Sequence, residues 1–246
     1  LIIATGGKSY EVTGSSGDGY SFSKELGLKI VEPRPALTPC YIKDYSYTTL
    51  AGVSFRNAIL ELWRDNKKLG TYEGDLLFTH KNLSGPLIID NSRYIKKDDK
   101  LRINFSGENL EIFEKNLRNT INNNGNKFVK NIFDNPNFSE RFIKVILKEC
   151  EISEETKCNS LKKEQIKRLI EALGNHAYEV SKLEGFNIAM VTAGGVALEE
   201  INKNTMESKK IKDLYIVGEL LDIDGDTGGY NIQGAYSTGA LAAESI

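Results

Sequence analysis

Only three of the 246 residues are cysteine, and no C-x-x-C pair occurs among them. Cys150 and Cys158 lie eight apart in a polar stretch. An odd count at such spacing offers neither a disulfide framework nor a zinc site and fits a reducing cytoplasm, the expected location. Histidine is scarcer still. His80 and His176 are far apart and have no ligand-type neighbours, so neither a metal centre nor a Ser-His-Asp arrangement is expected. An excess of one charge is also lacking. The 32 Lys and Arg are interleaved with 34 Asp and Glu, for a formal net charge of -2. That balance argues against nucleic acid or an acidic membrane surface as partner. No apolar run approaches the roughly 18 residues of a membrane-spanning helix, and the start shows no secretory pattern.

What is present is a change of period along the chain. Leu1-Ile2-Ile3 reads as a buried strand entered midway, running into Ala4-Thr5-Gly6-Gly7. The end lies inside an alanine-rich helix. Both suggest a piece of a longer protein. Residues 14–27 hold a Gly-rich loop and a helix that Ser16 or Asp18 could cap, with Gly27 at its C′ position. Pro33, Pro35 and Pro39 then read as breaks at a domain crossing.

From about 41 to 105 the period is two. Ala58/Leu60/Leu62 alternate with Ile59/Glu61/Trp63, and Asn66-Lys67-Lys68 reads as a hairpin turn. Asp75–Thr79 and Leu101/Ile103/Phe105 read as further strands and Ser84-Gly85-Pro86 as a turn, together an antiparallel barrel or sandwich. From about 108 to 182 the period is helical. Leu110/Phe113/Leu117/Ile121 form one stripe. Ser139 caps a second helix, and Gly174-Asn175 stops a third. β character returns at Phe186, Thr205–Ser208 reads as one more short strand, and α/β character resumes at Leu214. The first and last pieces should share one sheet, with the other segments nested between them.

The stretch Tyr215–Ile246 is the most informative. An apolar run ends in Gly218-Glu219, a loop holding Gly225, Gly228 and Gly229 follows, and then a helix rich in small residues. This order presents backbone N–H groups and a carboxylate to a ligand at the carboxyl end of a strand. Ile232, Ala235, Tyr236, Gly239, Ala240 and Ala243 recur at helical spacing, as if to lie close against a sheet. Other short matches fail. Gly7-Lys8-Ser9 lacks the earlier glycine of a P-loop, since Ile2 stands there. Gly14–Gly19 has the order G-x-x-G-x-G, and Asp226-Thr227-Gly228 has no second copy to form a carboxylate dyad. Three glycine turns remain, at 4–7, 191–195 and 217–219. They suit a large, flat, partly anionic ligand with a polyol chain. Backbone amides from both ends of the chain should converge on it, with a helix N-terminus near Gly229-Tyr230-Asn231 offering positive potential.

At ATGGKSYEVTGSSGDGY, PRPALTP, GDLLFTHKNLSGP, MVTAGGVALEEINKNTMESK and YIVGELLDIDGDTGGYNIQGAYSTGALA the chain resembles the bacterial FAD-dependent oxidoreductases of the BaiN type, relatives of aminoacetone oxidase. The resemblance implies an α/β fold. A partial Rossmann-like FAD domain (1–32 and 211–246) would be interrupted by a β-barrel-like domain (33–106 and 185–210) carrying a helical insertion (107–184). It places Thr5, Gly6 and Gly7 beside the flavin. Gly218 and Glu219 stand at the usual Gly-Asp pair, with Asp222 close by, and the carboxylate bonds the ribityl or pyrophosphate region. Gly228, Gly229, Tyr230 and Asn231 face the pyrimidine edge, and Thr192, Gly194 and Gly195 lie on the substrate side. No G-x-G-x-x-G turn precedes this stretch, so the piece alone should bind FAD weakly, be inactive and expose an apolar sheet edge. The implied activity is hydride transfer between a small organic substrate and FAD, with NAD(P) or oxygen as the other electron partner. A flavin-using RNA-modifying enzyme and a non-catalytic nucleotide-binding protein remain as alternatives.

Overall fold

A computed structural model describes residues 1–246. The chain begins with β1 (Ile2–Ile3), α1 (Asp18–Glu25), β2 (Ile30–Ala36), β3 (Cys40–Ile42), β4 (Ser54–Arg64), β5 (Lys67–Phe78) and β6 (Leu83–Ser84). It continues through α2 (Pro86–Ile89), β7 (Lys100–Asn104), α3 (Leu110–Asn123), α4 (Glu140–Glu149) and α5 (Lys163–Gly174). It closes with β8 (His176–Leu183), β9 (Val191–Val196), β10 (Tyr215–Ile216) and α6 (Gly228–Glu244). These elements form two compact units. One comprises residues 1–39, 89–94 and 183–246, the other residues 40–88 and 95–182. The pattern of the sequence suggests three bodies, but the helices of 107–184 share a unit with the barrel. The amide of Phe105, just past β7, donates to Leu173 O at the end of α5 (3.0 Å), and α5 runs straight into β8. The pair β2–β9, expected with the barrel, belongs with the chain ends.

In the first unit the two ends of the chain do share a sheet. β1 pairs β10 in parallel, Ile2 opposite Tyr215 and Ile3 opposite Ile216. Ile3, Leu28, Val196, Met206, Ile216 and Leu220 lie in the core beneath. β2 and β9 form a separate antiparallel ladder. Pro33 and Pro35 lie inside β2 rather than breaking it. A two-stranded ladder leaves one edge of β2 unpaired, and there a missing N–H costs nothing. The register slips between Val31 and Arg34, and the single residue opposite, Gly194 at φ 89°, leaves room for Glu32 O, which a Cβ there would meet at 2.5 Å. Helix α1 starts after Gly17 at φ 86° with no side-chain cap, so neither Ser16 nor Asp18 serves, whereas Gly27 at φ 78° stands just beyond its end. Thr205–Ser208 forms only isolated bridges, Ile201 to Ser208 and Glu207 to Tyr215, because Met206 at φ 60° turns the chain.

The second unit is a closed barrel in the order β3-β6-β5-β4-β7-β8. Ala58, Leu60 and Leu62 of β4 are fully buried, the inward half of the alternation. The β4–β5 turn falls on Asp65 (φ 49°) and Asn66 (φ 60°), one residue before the expected place. Two positive φ values match the right-handed twist of the strands, and Asp and Asn tolerate them. Phe55, Phe78, Phe105 and Phe142 meet at centroid distances of 4.7 to 6.0 Å. Phe142 comes from α4, whose first turn is capped by Ser139 Oγ accepting from Phe142 N (3.3 Å). α3 buries Phe113, Leu117 and Ile121. His176 is structural, with its ring stacked on Tyr178 at 4.4 Å and Nε2 bonded to the Tyr47 hydroxyl at 3.1 Å. All three cysteines are buried and unpaired. Burial pushes Cys40 up to about 12 and Cys150 to about 11, so neither is a thiolate at neutral pH.

Truncating Phe55→Ala should cost about 3–5 kcal/mol through lost burial and a cavity that four rings cannot collapse to fill. Urea denaturation of variant and parent measures it, and a loss below about 1 kcal/mol would mean that the aromatic cluster is not the centre of this core.

Candidate functional site

The Glu219 carboxylate joins the three glycine turns. Its Oε1 accepts from Thr192 N (2.7 Å) and its Oε2 from Gly7 N (3.2 Å). One side chain thus ties the turn after β1, strand β9 and the turn after β10. Thr192 continues the tie. Its hydroxyl oxygen is buried, accepts from Lys8 N (2.7 Å) and Ser9 N (3.1 Å), and lies 3.1 Å from Ser9 Oγ. The Tyr20 hydroxyl of α1 donates to the Glu219 carbonyl at 3.4 Å, and burial beside that carboxylate pushes its pKa up.

Close approach explains the glycines. A Cβ on Gly7 would stand 2.6 Å from Thr192 Oγ1 and 2.8 Å from Glu219 Cδ. On Gly194 it would meet Glu32 O at 2.5 Å, and on Gly195 Leu220 O at 2.4 Å. Gly194 and Gly195 therefore let β9 lie between β2 and the 218–221 turn, where Val196 also bridges Leu221. Gly218 adopts φ 72°, which only glycine holds at little cost. Its N–H donates to Thr238 Oγ1 of α6 at 2.9 Å.

That bond fixes the rotation of α6. Gly218, Glu219, Ile223, Tyr230, Asn231, Gly234, Ala235 and Thr238 line a narrow cleft. No side chain caps the helix at Thr227, so its first N–H groups keep their hydrogen-bonding capacity. Asn231 holds the entering loop instead. Its Oδ1 accepts from Gly225 N (2.9 Å), while its Nδ2 donates to Gly225 O (3.0 Å) and Thr227 O (2.8 Å). Of the apolar stripe expected to face the sheet, Ala235 lines this cleft, whereas Ile232 and Tyr236 are 74% and 73% exposed. The structure thus brings Gly7, Thr192, Gly218 and Glu219 together, and Tyr230 and Asn231 stand across the cleft from the last two. Gly228 and Gly229 open the helix, and Asp222 is tied through its N–H to Val196 O (2.9 Å). Thr5 borders an apolar groove with Leu1, Ile2, Phe22 and Leu26, and Gly6 adopts φ 74° before Gly7. Tyr20, Thr238 and Arg93, whose guanidinium bonds the 224–226 loop, carry no sequence signal of their own. Tyr20 and Arg93 act on partners 199 and 131 residues away along the chain.

Burial raises the Glu219 pKa above the ordinary carboxylate value, against the opposing pull of the Thr192 and Gly7 amides. The folded protein then holds this proton to higher pH than the unfolded chain. The resulting stability is full below the unfolded pKa and is lost as pH rises through the folded one. Glu219→Gln removes the titration. Denaturation of both proteins across that window should show Gln gaining on Glu as pH rises, and a pH-independent difference would contradict the raised value.

A family model described as "HI0933-like protein Rossmann domain" matches residues 1–245. The chain is 29% identical to a Haemophilus influenzae protein named ribosomal RNA dihydrouridine synthase and 31% identical to an Escherichia coli protein of that name. It is 30% identical to a Clostridium scindens protein named 3-dehydro-bile acid delta(4,6)-reductase. Each match covers 100% of this chain, but only 60%, 60% and 61% of the respective relatives. The chain therefore spans about three-fifths of the length of these curated relatives. No helix is long and apolar enough to cross a membrane. With a family model matched along nearly its whole length, the chain belongs to the HI0933-like Rossmann-domain family, whose members include the BaiN-type reductase.

Proposed function

We propose that this chain is part of a FAD-dependent oxidoreductase that reduces a carbon–carbon double bond conjugated to a carbonyl. The observation that carries the reading is the uncapped first turn of α6 beside the cleft at Gly218 and Glu219. These residues fit a flavin. An uncapped helix N-terminus favours negative charge, and the carboxylate oxygens, each accepting one N–H, keep lone pairs for ribityl hydroxyls. FAD, when bound, supplies the two-electron redox step. The chain's residues orient and polarise. Gly228, Gly229 and Tyr230 would offer N–H groups to the flavin, and Glu219 holds the turns in register. The Thr192 hydroxyl is saturated by Lys8 and Ser9, so Thr192 positions β9 on the substrate side, with Gly194 and Gly195. The exposed Tyr230 hydroxyl is the better proton donor.

The substrate class comes from the relatives' names. Dihydrouridine is uridine with two hydrogens added across a ring double bond next to a carbonyl. A delta(4,6)-reductase acting on a 3-oxo steroid acts on a conjugated enone. Both are hydride addition to an electron-poor carbon with protonation of its neighbour, and NAD(P)H is the reductant that balances it. The substrate here is a small molecule. The two synthase names favour a second reading, in which the double bond belongs to a uracil of ribosomal RNA. The absence of a basic excess stands against it.

The test uses the full-length protein. Flavin bands should bleach with NADH or NADPH under anaerobic conditions and return on adding a 3-oxo-4-ene steroid. Recovery only with unmodified ribosomal RNA selects the second reading, and a colourless folded protein that ignores added FAD overturns both. Glu219→Ala should weaken FAD binding by about tenfold or more, as loss of charge-assisted hydrogen bonds implies, with turnover per bound flavin largely kept. Unchanged retention would remove Glu219 from the ribityl contact.

A further inference from the structure

Residues 89–94 lie between barrel strands in sequence yet belong to the unit of the chain ends. Buried Ser92 anchors this segment, its hydroxyl accepting from Thr38 N at 3.2 Å. Arg93 is thereby aimed at the loop that leads into α6. Its Nη1 donates to Asp224 O (3.0 Å) and its Nη2 to Gly225 O. Nη1 also lies 3.2 Å from Asp224 Oδ2 and 3.3 Å from Asp226 Oδ1. The Arg93 side chain is only 12% exposed. Asn231 grips the same loop from the helix side, sharing the Gly225 carbonyl. The loop has no regular structure, so these two side chains set where α6 begins. Charge adds a second effect. Asp90, Asp224 and Asp226 surround Arg93, and burial together with Asp226 raises the Asp90 pKa while Arg93 lowers it. Without that cation, a cluster of carboxylates would lie beside the positive end of α6.

We infer that Arg93 is a positioning residue of the cofactor site, holding the Asp224–Thr227 loop and cancelling its acidic charge so that the first turn of α6 meets the flavin with positive potential. This rests on the flavin reading above. A lysine keeps the charge but cannot span two carbonyls and two carboxylates at once. Charge and grip can therefore be separated.

The experiment is FAD titration and redox titration of full-length wild type, Arg93→Gln and Arg93→Lys. Arg93→Gln should raise the FAD dissociation constant about tenfold and move the midpoint potential to more negative values, since electron-rich reduced flavin loses support. Arg93→Lys should keep a near-native potential while binding FAD with intermediate affinity. Equal affinity loss in both variants with no change of potential would mean a purely structural role and overturn the inference. So would unchanged affinity and potential in Arg93→Gln. If Arg93→Gln does not fold, Asp226→Asn, at a side chain 72% exposed, reads the same balance. Its potential should become more positive, and an unchanged potential overturns the inference. A wild type that binds no flavin sinks the flavin reading itself, and this inference with it. A flavin-binding wild type with an indifferent Arg93→Gln sinks only the inference.

Discussion

The three glycine turns have almost no side chains with which to hold one another. Glycine permits the close approach but contributes no packing, so polar bonds must fix the arrangement. A single carboxylate takes that role, accepting Thr192 N with one oxygen and Gly7 N with the other. Hydrogen bonds to a charged acceptor are worth about 1.5–3 kcal/mol each, and desolvation of the carboxylate opposes them, as its raised pKa records. The net gain is modest. Its value is geometric, since it sets the register of segments about two hundred residues apart in sequence, and the Thr192 hydroxyl extends that register to Lys8 and Ser9.

The two units are held together differently. The barrel unit has a closed hydrogen-bond ladder and a fully buried core of large rings, and closure removes sheet edges. The other unit has two short two-stranded sheets. That unit carries the glycine turns, the cleft and the uncapped helix. Beneath them lies a core that includes Ile3, Val196, Ile216 and Leu220, and above it hydrogen bonds around Glu219, Thr192 and Asn231 fix the turns.

Period alone reveals much of the barrel unit. The alternation at Ala58, Leu60 and Leu62 and the Ser139 cap are local signals, and local physics decides them. Signals fail where a distant partner decides. Pro33 and Pro35 read as breaks because proline lacks a donor, yet an edge strand needs none there. Thr238 of α6 carries no motif, yet its hydroxyl accepts the Gly218 N–H. The resemblance marks Glu219 and Thr192 as site residues, and nothing in the sequence says that they bond each other. Arg93 meets Asp224 across 131 residues, and no motif marks it.

Hydrogen–deuterium exchange on the full-length protein, with and without FAD, tests this frame most directly. The amides of Gly7 and Thr192 should exchange slowly in both states, because Glu219 already accepts them, whereas those of Gly228–Tyr230 should slow only when FAD is added. Fast exchange at Gly7 and Thr192, or no response at the start of α6, would contradict a carboxylate-held frame facing a flavin.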